Sequence, residues 1–330
     1  MTKQRIIVLT TGGTIASKPG ENGRNVSGAL SGESLLERVA LPQDSALDVE
    51  VRSVLQKPSN GISLDDLVTL SRQCQALAQE PDVIGIVITH GTDTLEETAH
   101  FLDITLPLDD CSLVITGSQR APHEEGTDAF RNLGNAITVA ADPRLNGIGA
   151  TVVFNETIFA ARSVRKLDSY RVDGFGAPEV GALGYVDGQR VHLAQAPRRA
   201  TPLPLGDSLP RIDIIASYLD ASPHLIGAAV ASGAQALVVE GLGRGHVPPA
   251  WLEAIGEATR GGIPVAVVTG CYTGPVNARY EFPGSLASLQ AYGAIPVRDL
   301  SARKARLTLA VLLSSVGPED VAAHLQHMMS

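Results

Sequence analysis

The sequence predicts an α/β fold, with a larger N-terminal domain on a mainly parallel sheet and a smaller C-terminal α/β domain. Three observations carry this expectation. Short β-branched runs end abruptly in Gly, Thr or Ser: residues 6–10 before TGGT, 84–89 before HGTD, 113–116 before GSQR, 236–240 before GLGRGH and 265–269 before GCYTG. The runs are continuously apolar rather than alternating, which suits strands buried on both faces of a parallel sheet. Helical patterns lie between them, and strands alternating with helices imply crossover connections.

Each element follows in turn. The first strand runs straight into TGGT. A stretch rich in Gly, Asn and Ser, residues 17–31, reads as a mobile loop that closes over a site. Helices are expected over 33–39 and 64–77. After the strand at 84–89, Leu95, Ala99, Leu102 and Leu106 share one helical face. A helix over 130–140 precedes a strand over 151–154. The proline-rich segment 194–210, with Pro197, Pro202, Pro204 and Pro210, reads as a linker. It divides a domain at 1–193 from one at 211–330. The second domain opens with a strand over 212–217 and has helices over 251–259 and 319–328.

With 330 residues, 44% of them hydrophobic, the chain has enough apolar surface for two cores. A formal net charge of −9 argues against nucleic-acid and anionic-membrane partners, because phosphates are repelled. No long apolar run predicts a membrane span, and the N-terminus lacks a signal-peptide pattern, so a cytoplasmic protein is expected. Cys74, Cys111 and Cys271 form no CxxC or Cys/His cluster, so neither a structural zinc nor any other metal is expected.

In open α/β sheets, ligands bind in the crevice beyond the strand carboxyl ends. TGGT and HGTD both belong there. The glycines of TGGT allow a tight turn that presents the Thr14 hydroxyl, and the alternative is a plain turn with Thr14 as a helix cap. In HGTD, Thr92 places a hydroxyl beside the Asp93 carboxylate. Asp93 followed by Glu96 also fits a capping pattern. His90 is expected to be structural rather than a base. Lys166 is either a surface lysine or a base that acts beside a threonine. GLGRGH matches no phosphate loop, which leaves no nucleotide role.

Taken together, TGGTIAS at 11–17 and VITHGTDTLEETAHFLD at 87–103 resemble the two signature segments of the bacterial L-asparaginase family. GSQRAP, FRNLGNA, FGAPEVGALGYVDG and KARLTLAVLL add to the resemblance, which runs through nearly the whole chain. It implies an amidohydrolase in which Thr14 attacks the side-chain amide and forms an acyl-enzyme that water releases. It further implies that Thr92, Asp93 and Lys166 form a second polar group, with Asp93 also holding the substrate ammonium. Ser59 is implied to bind the α-carboxylate, with Asn60 beside it. Glu281 and His246 are implied to reach a neighbouring subunit's site, in a homo-oligomer, usually a tetramer, whose sites lie at a dimer interface. No cofactor is required.

Three positions depart from the family pattern. Residues 17–31 hold no tyrosine, and Asn25 or Val26 stands nearest its place. Asn60 replaces a commoner glutamine, and His246 replaces an asparagine. Glu281, with Tyr280, is expected to take over part of the missing tyrosine's role. The resemblance implies L-asparagine as substrate. Another amide (L-glutamine, D-asparagine or an N-substituted asparagine) and a non-catalytic ligand-binding homologue are the alternatives.

Overall fold

The computed structural model describes residues 3–41, 47–197 and 199–329, Met329 without its side chain. The chain divides into two compact units, Met1–Pro202 and Leu203–Ser330.

In chain order the first unit contains β1 (Gln4–Gly12), β2 (Lys18–Pro19), β3 (Asn25–Val26), α1 (Gly32–Leu36), β4 (Leu47–Lys57), α2 (Leu64–Ala78), β5 (Val83–Thr89) and α3 (Leu95–Thr105). It continues with β6 (Ser112–Thr116), α4 (Ala129–Ala140), β7 (Ala150–Phe154), β8 (Thr157–Ala160), β9 (Arg165–Lys166), β10 (Phe175–Gly176), β11 (Gly184–Asp187) and β12 (Arg190–Leu193). Its main sheet has the order β12-β11-β8-β7-β6-β5-β1-β4. From β7 to β4 all neighbours are parallel, and β7, β8, β11 and β12 form an antiparallel edge. The central strands β1, β5 and β6 are buried almost throughout. Ile6, Val8, Val87 and Val114 meet Leu133, Ala136 and Ile137 of α4 in the core.

Chain direction places the crevice. From β1 the chain moves to β4 on one side, whereas from β5 it moves to β6 on the other. The carboxyl ends of β1 and β5 therefore flank a topological switch point, where α/β sheets open a ligand crevice. TGGT and HGTD leave the sheet at these two ends.

In the second unit β13 (Ile212–Ala216), β14 (Ala236–Gly241), β15 (Val265–Thr269) and β16 (Ile295–Pro296) form a parallel sheet in sequence order. Helices α5 (His224–Ala231), α6 (Trp251–Arg260), α7 (Leu286–Ala291), α8 (Ala302–Leu313) and α9 (Val321–Met329) accompany it. Trp251, fully buried, anchors the core and donates its indole N–H to the Ala221 carbonyl at 2.7 Å.

The sequence pattern missed several elements. The long strand β4 carries charges because it is the sheet's edge, with Arg52 beside Glu50. The antiparallel pairs β8, β11 and β12 are too short to show a period. The boundary between the two units falls inside the segment at 194–210, where Arg199 is largely buried and donates to the Leu106 carbonyl at the end of α3. Arg198, also in that segment, lies outside the described residues. The stretch at 17–31 contains the β2–β3 ribbon, pinned by an Asn25 amide bond to Glu124 at 2.9 Å.

Candidate functional site

The site is built where two glycine turns meet. At the end of β1, Gly12 and Gly13 have φ of 106° and 82°, values that L side chains resist. A Cβ on Gly12 would stand 2.4 Å from the Lys57 carbonyl oxygen, and one on Gly13 would stand 2.4 Å from the Gly91 Cα. A Cβ on Gly91 would in turn meet Ser59 Oγ at 2.8 Å. Absence of side chains thus lets the turns after β1, β4 and β5 touch. The Thr11 hydroxyl ties the two strand ends together by donating to the Thr89 carbonyl at 2.9 Å.

Thr14 follows Gly13 and opens a single 3-10 turn, Thr14–Ala16. The capping alternative is corrected here, since Gly13 occupies the cap position and no side chain caps the turn. The Thr14 hydroxyl, half-buried, makes no hydrogen bond to another described residue.

Thr92 follows Gly91. The Lys166 ammonium donates to Thr92 Oγ1 at 2.8 Å and to Asp93 Oδ1 at 2.8 Å. Lys166 is not a solvated surface lysine, because its side chain is only 16% exposed while that of Asp93 is 70% exposed. The shielded end of this ion pair therefore lies at Thr92 and the wet end at Asp93. Lys166 comes from the short β9–β10 ribbon, and its backbone N–H donates to Glu96 Oε2 at 2.6 Å.

That bond corrects the capping expectation for Asp93. The residue before α3 is Thr94, which makes no side-chain cap bond and instead donates its hydroxyl to the Ser59 carbonyl at 2.9 Å. Asp93 turns to Lys166, and Glu96 turns inward to hold the ribbon. His90 is fully buried between the Gly91 carbonyl (Nδ1, 2.7 Å) and the Thr98 hydroxyl (Nε2, 2.9 Å). Burial pushes its pKa down to about 4, only partly offset by the Gly91 carbonyl. It is a neutral brace for the turn, as the sequence reading expected.

Ser59 is buried beside Gly91, whereas the neighbouring Asn60 is exposed. Among the described residues no group of three or more His, Cys, Asp or Glu is placed to hold a metal ion. Gln119 escaped sequence reasoning: its Oε1 accepts the Thr92 hydroxyl at 3.2 Å. The one signal for it was its place in GSQR, three residues past the end of β6.

In the second unit the His246 ring packs edge-on to Tyr280, with centroids 5.7 Å apart, and to Phe282 at 5.0 Å. Desolvation, with Arg244 adding to it, lowers the His246 pKa. Glu281, between the two aromatic residues, is exposed, as is Tyr280 at 52%.

Two family models match the chain: Asparaginase, N-terminal, over residues 5–199, and Glutaminase/Asparaginase C-terminal domain, over residues 211–329. The chain is 41% identical to the L-asparaginase of Bacillus licheniformis over 94% of its own length and 96% of that protein's. It is 30% identical to the glutaminase-asparaginase of Pseudomonas fluorescens biotype A, over 94% of its length and 86% of that protein's. A crystal structure described as a probable cytoplasmic L-asparaginase from Campylobacter jejuni superimposes with a TM-score of 0.87 at 29% identity, covering 98% of this chain and 99% of that one.

Proposed function

The chain belongs to the asparaginase family, and we propose how its site hydrolyses the side-chain amide of L-asparagine to L-aspartate and ammonia. The chain is an amidohydrolase, and the reaction runs through an ester on Thr14. Thr14 Oγ1 attacks the amide carbon, and its proton passes to the departing nitrogen, which leaves as ammonia. Water then attacks the ester, the acyl–oxygen bond breaks, and the proton returns to Thr14. Dividing the reaction this way replaces one hard step by two easier ones.

One observation carries this reading: the Lys166 ammonium bridges Thr92 Oγ1 and Asp93 Oδ1 at 2.8 Å each, on the turn that touches the one bearing Thr14. Lys166, 2.8 Å from Thr92 Oγ1, keeps that hydroxyl poised to pass a proton to and from the reacting atoms. Asp93, wet on its outer side, receives the substrate ammonium. Ser59 donates to the α-carboxylate, with Asn60 at the rim. No cofactor takes part.

Glu281 and His246 complete a neighbouring subunit's site in this reading, within a homotetramer whose sites form at a dimer interface. A cytoplasmic location belongs to the same reading and is supported by the likeness to the Campylobacter jejuni protein.

The test is ammonia release from L-asparagine, D-asparagine, L-glutamine and a simple amide by wild type and Thr14→Ala. Preference for L-asparagine, lost in the variant, is the expected result. A preference for L-glutamine is the second reading, favoured by Asn60 and His246 standing where the family pattern has other residues. One methylene shifts binding by only about 1–3 kcal/mol, within reach of those changes.

A further inference from the structure

The carboxamide of Gln119 is fixed at both ends. Its Nε2 donates to the Asp168 carbonyl at 3.2 Å, and its Oε1 faces Thr92 Oγ1 at 3.2 Å. Its backbone N–H is pinned by Asp128 Oδ2 at 3.0 Å, and Asp128 is itself held by Asn132 at 2.9 Å. Room for the amide comes from Gly174, where a Cβ would stand 2.4 Å from Nε2. A carbonyl can only accept, so Asp168 holds the NH2 end of the amide on its own side and turns Oε1 toward Thr92. An ammonium can only donate, so Lys166 takes a lone pair of Thr92. The single hydroxyl hydrogen of Thr92 is thereby directed to Gln119.

We propose that Gln119 is a positioning residue that sets the direction of the Thr92 hydroxyl proton and so controls when that proton moves. In the resting site Thr92 gives its hydrogen to a neutral acceptor while Lys166 keeps its own. Proton transfer starts only when the hydroxyl turns from Gln119 to the reacting groups. The inference rests on the reading of Thr92 and Lys166 as the proton relay.

The charged groups around this pair come from several segments. Asp93 contacts the ammonium, and Glu96 of α3 holds the Lys166 backbone. Asp168 turns its carboxylate to the Tyr170 and Arg171 N–H groups, and Asp128 lies behind Gln119. Gln119 is thus the neutral member of an otherwise charged surround.

The experiment follows ammonia release from L-asparagine from about pH 5 to 10 in Gln119→Leu, Gln119→Glu and Thr92→Val, with thermal unfolding as the check on folding. Gln119→Leu is expected to lower kcat about tenfold, with KM changed less than about threefold. Gln119→Glu keeps an acceptor but sets an anion beside the ammonium. It is expected to hold kcat within about threefold at high pH and to move the rising limb of the profile up by about one unit. A Gln119→Leu kcat within about twofold of wild type overturns the proposal. Equal losses in both Gln119 variants with an unmoved limb also overturn it, since mere packing would then be the role. If Thr92→Val is fully active in an active wild type, the relay itself falls, and this inference with it. If only the Gln119 variants are silent, the relay stands and Gln119 alone is overturned. A wild type inactive on every amide overturns the functional reading and this proposal together.

Discussion

Gly13 and Gly91 touch backbone to backbone: a methyl group on the first would stand 2.4 Å from the Cα of the second. The contact joins the turn carrying Thr14 to the turn carrying Thr92. Gly13→Ala meets both this clash and a φ of 82°, a backbone conformation that costs a residue with a Cβ about 1–2 kcal/mol. The variant should unfold at lower temperature than wild type and release ammonia at least about a hundredfold more slowly, because a small displacement of reacting groups costs that much. Activity near wild type would mean that the turns need not touch.

Thr14 offers the opposite combination. Its hydroxyl bonds to no other described residue, so Thr14→Ala should leave the unfolding free energy within the roughly ±0.5 kcal/mol typical of neutral changes while abolishing turnover. Thr14→Ser should restore part of it. Mass spectrometry of enzyme quenched during turnover should find an ester in wild type and none in Thr14→Ala.

For Lys166, neutral replacement by Met leaves the Asp93 carboxylate without its partner. A fall in kcat of about a hundredfold or more is expected, the usual size for a lost acid–base group. Asp93→Asn should act chiefly on KM for α-amino substrates, because its exposed oxygen faces the substrate ammonium in the proposed pose. An equal effect of Asp93→Asn on an amide lacking the amino group would refute that assignment.

His90 makes the acid stability of the first unit predictable. Its pKa is lowered in the fold, from 6.5 to about 4. The unfolded chain therefore binds the extra proton first as pH falls. Its contribution is fully present above pH 6.5 and is lost as pH falls toward about 4, to the extent of about 3 kcal/mol. Urea unfolding should show wild type losing more stability than His90→Gln between these limits. Parallel losses would show that the buried imidazole is not what titrates.

Much of this was legible in the chain, for reasons that differ by residue. Buried parallel strands announced themselves as apolar runs, and TGGT and HGTD stand at the ends of two of them, β1 and β5, on either side of the switch in chain direction. Contacts between distant segments were not legible. Nothing around Lys166 distinguishes it from a surface lysine until β9 and β10 pair and Glu96 takes its backbone N–H. The capping pattern at Asp93 and Glu96 misled because local spacing competes with long-range partners, and here the partners won. Gln119 acquires meaning only through the Asp168 carbonyl, a backbone atom that sequence does not display.

The order of strands also bears on how the hydrolase is born. β1 is an interior strand, flanked by β4 and β5, and Lys166 reaches Thr92 from a ribbon that closes only with Phe175. On a translating ribosome the first strand must wait for both flanks. The lysine contact cannot form until that ribbon has left the exit tunnel. A half-made chain therefore carries Thr14 and Thr92 before the Lys166 contact exists, and the polar cluster at Thr92 assembles only when the first unit is nearly complete.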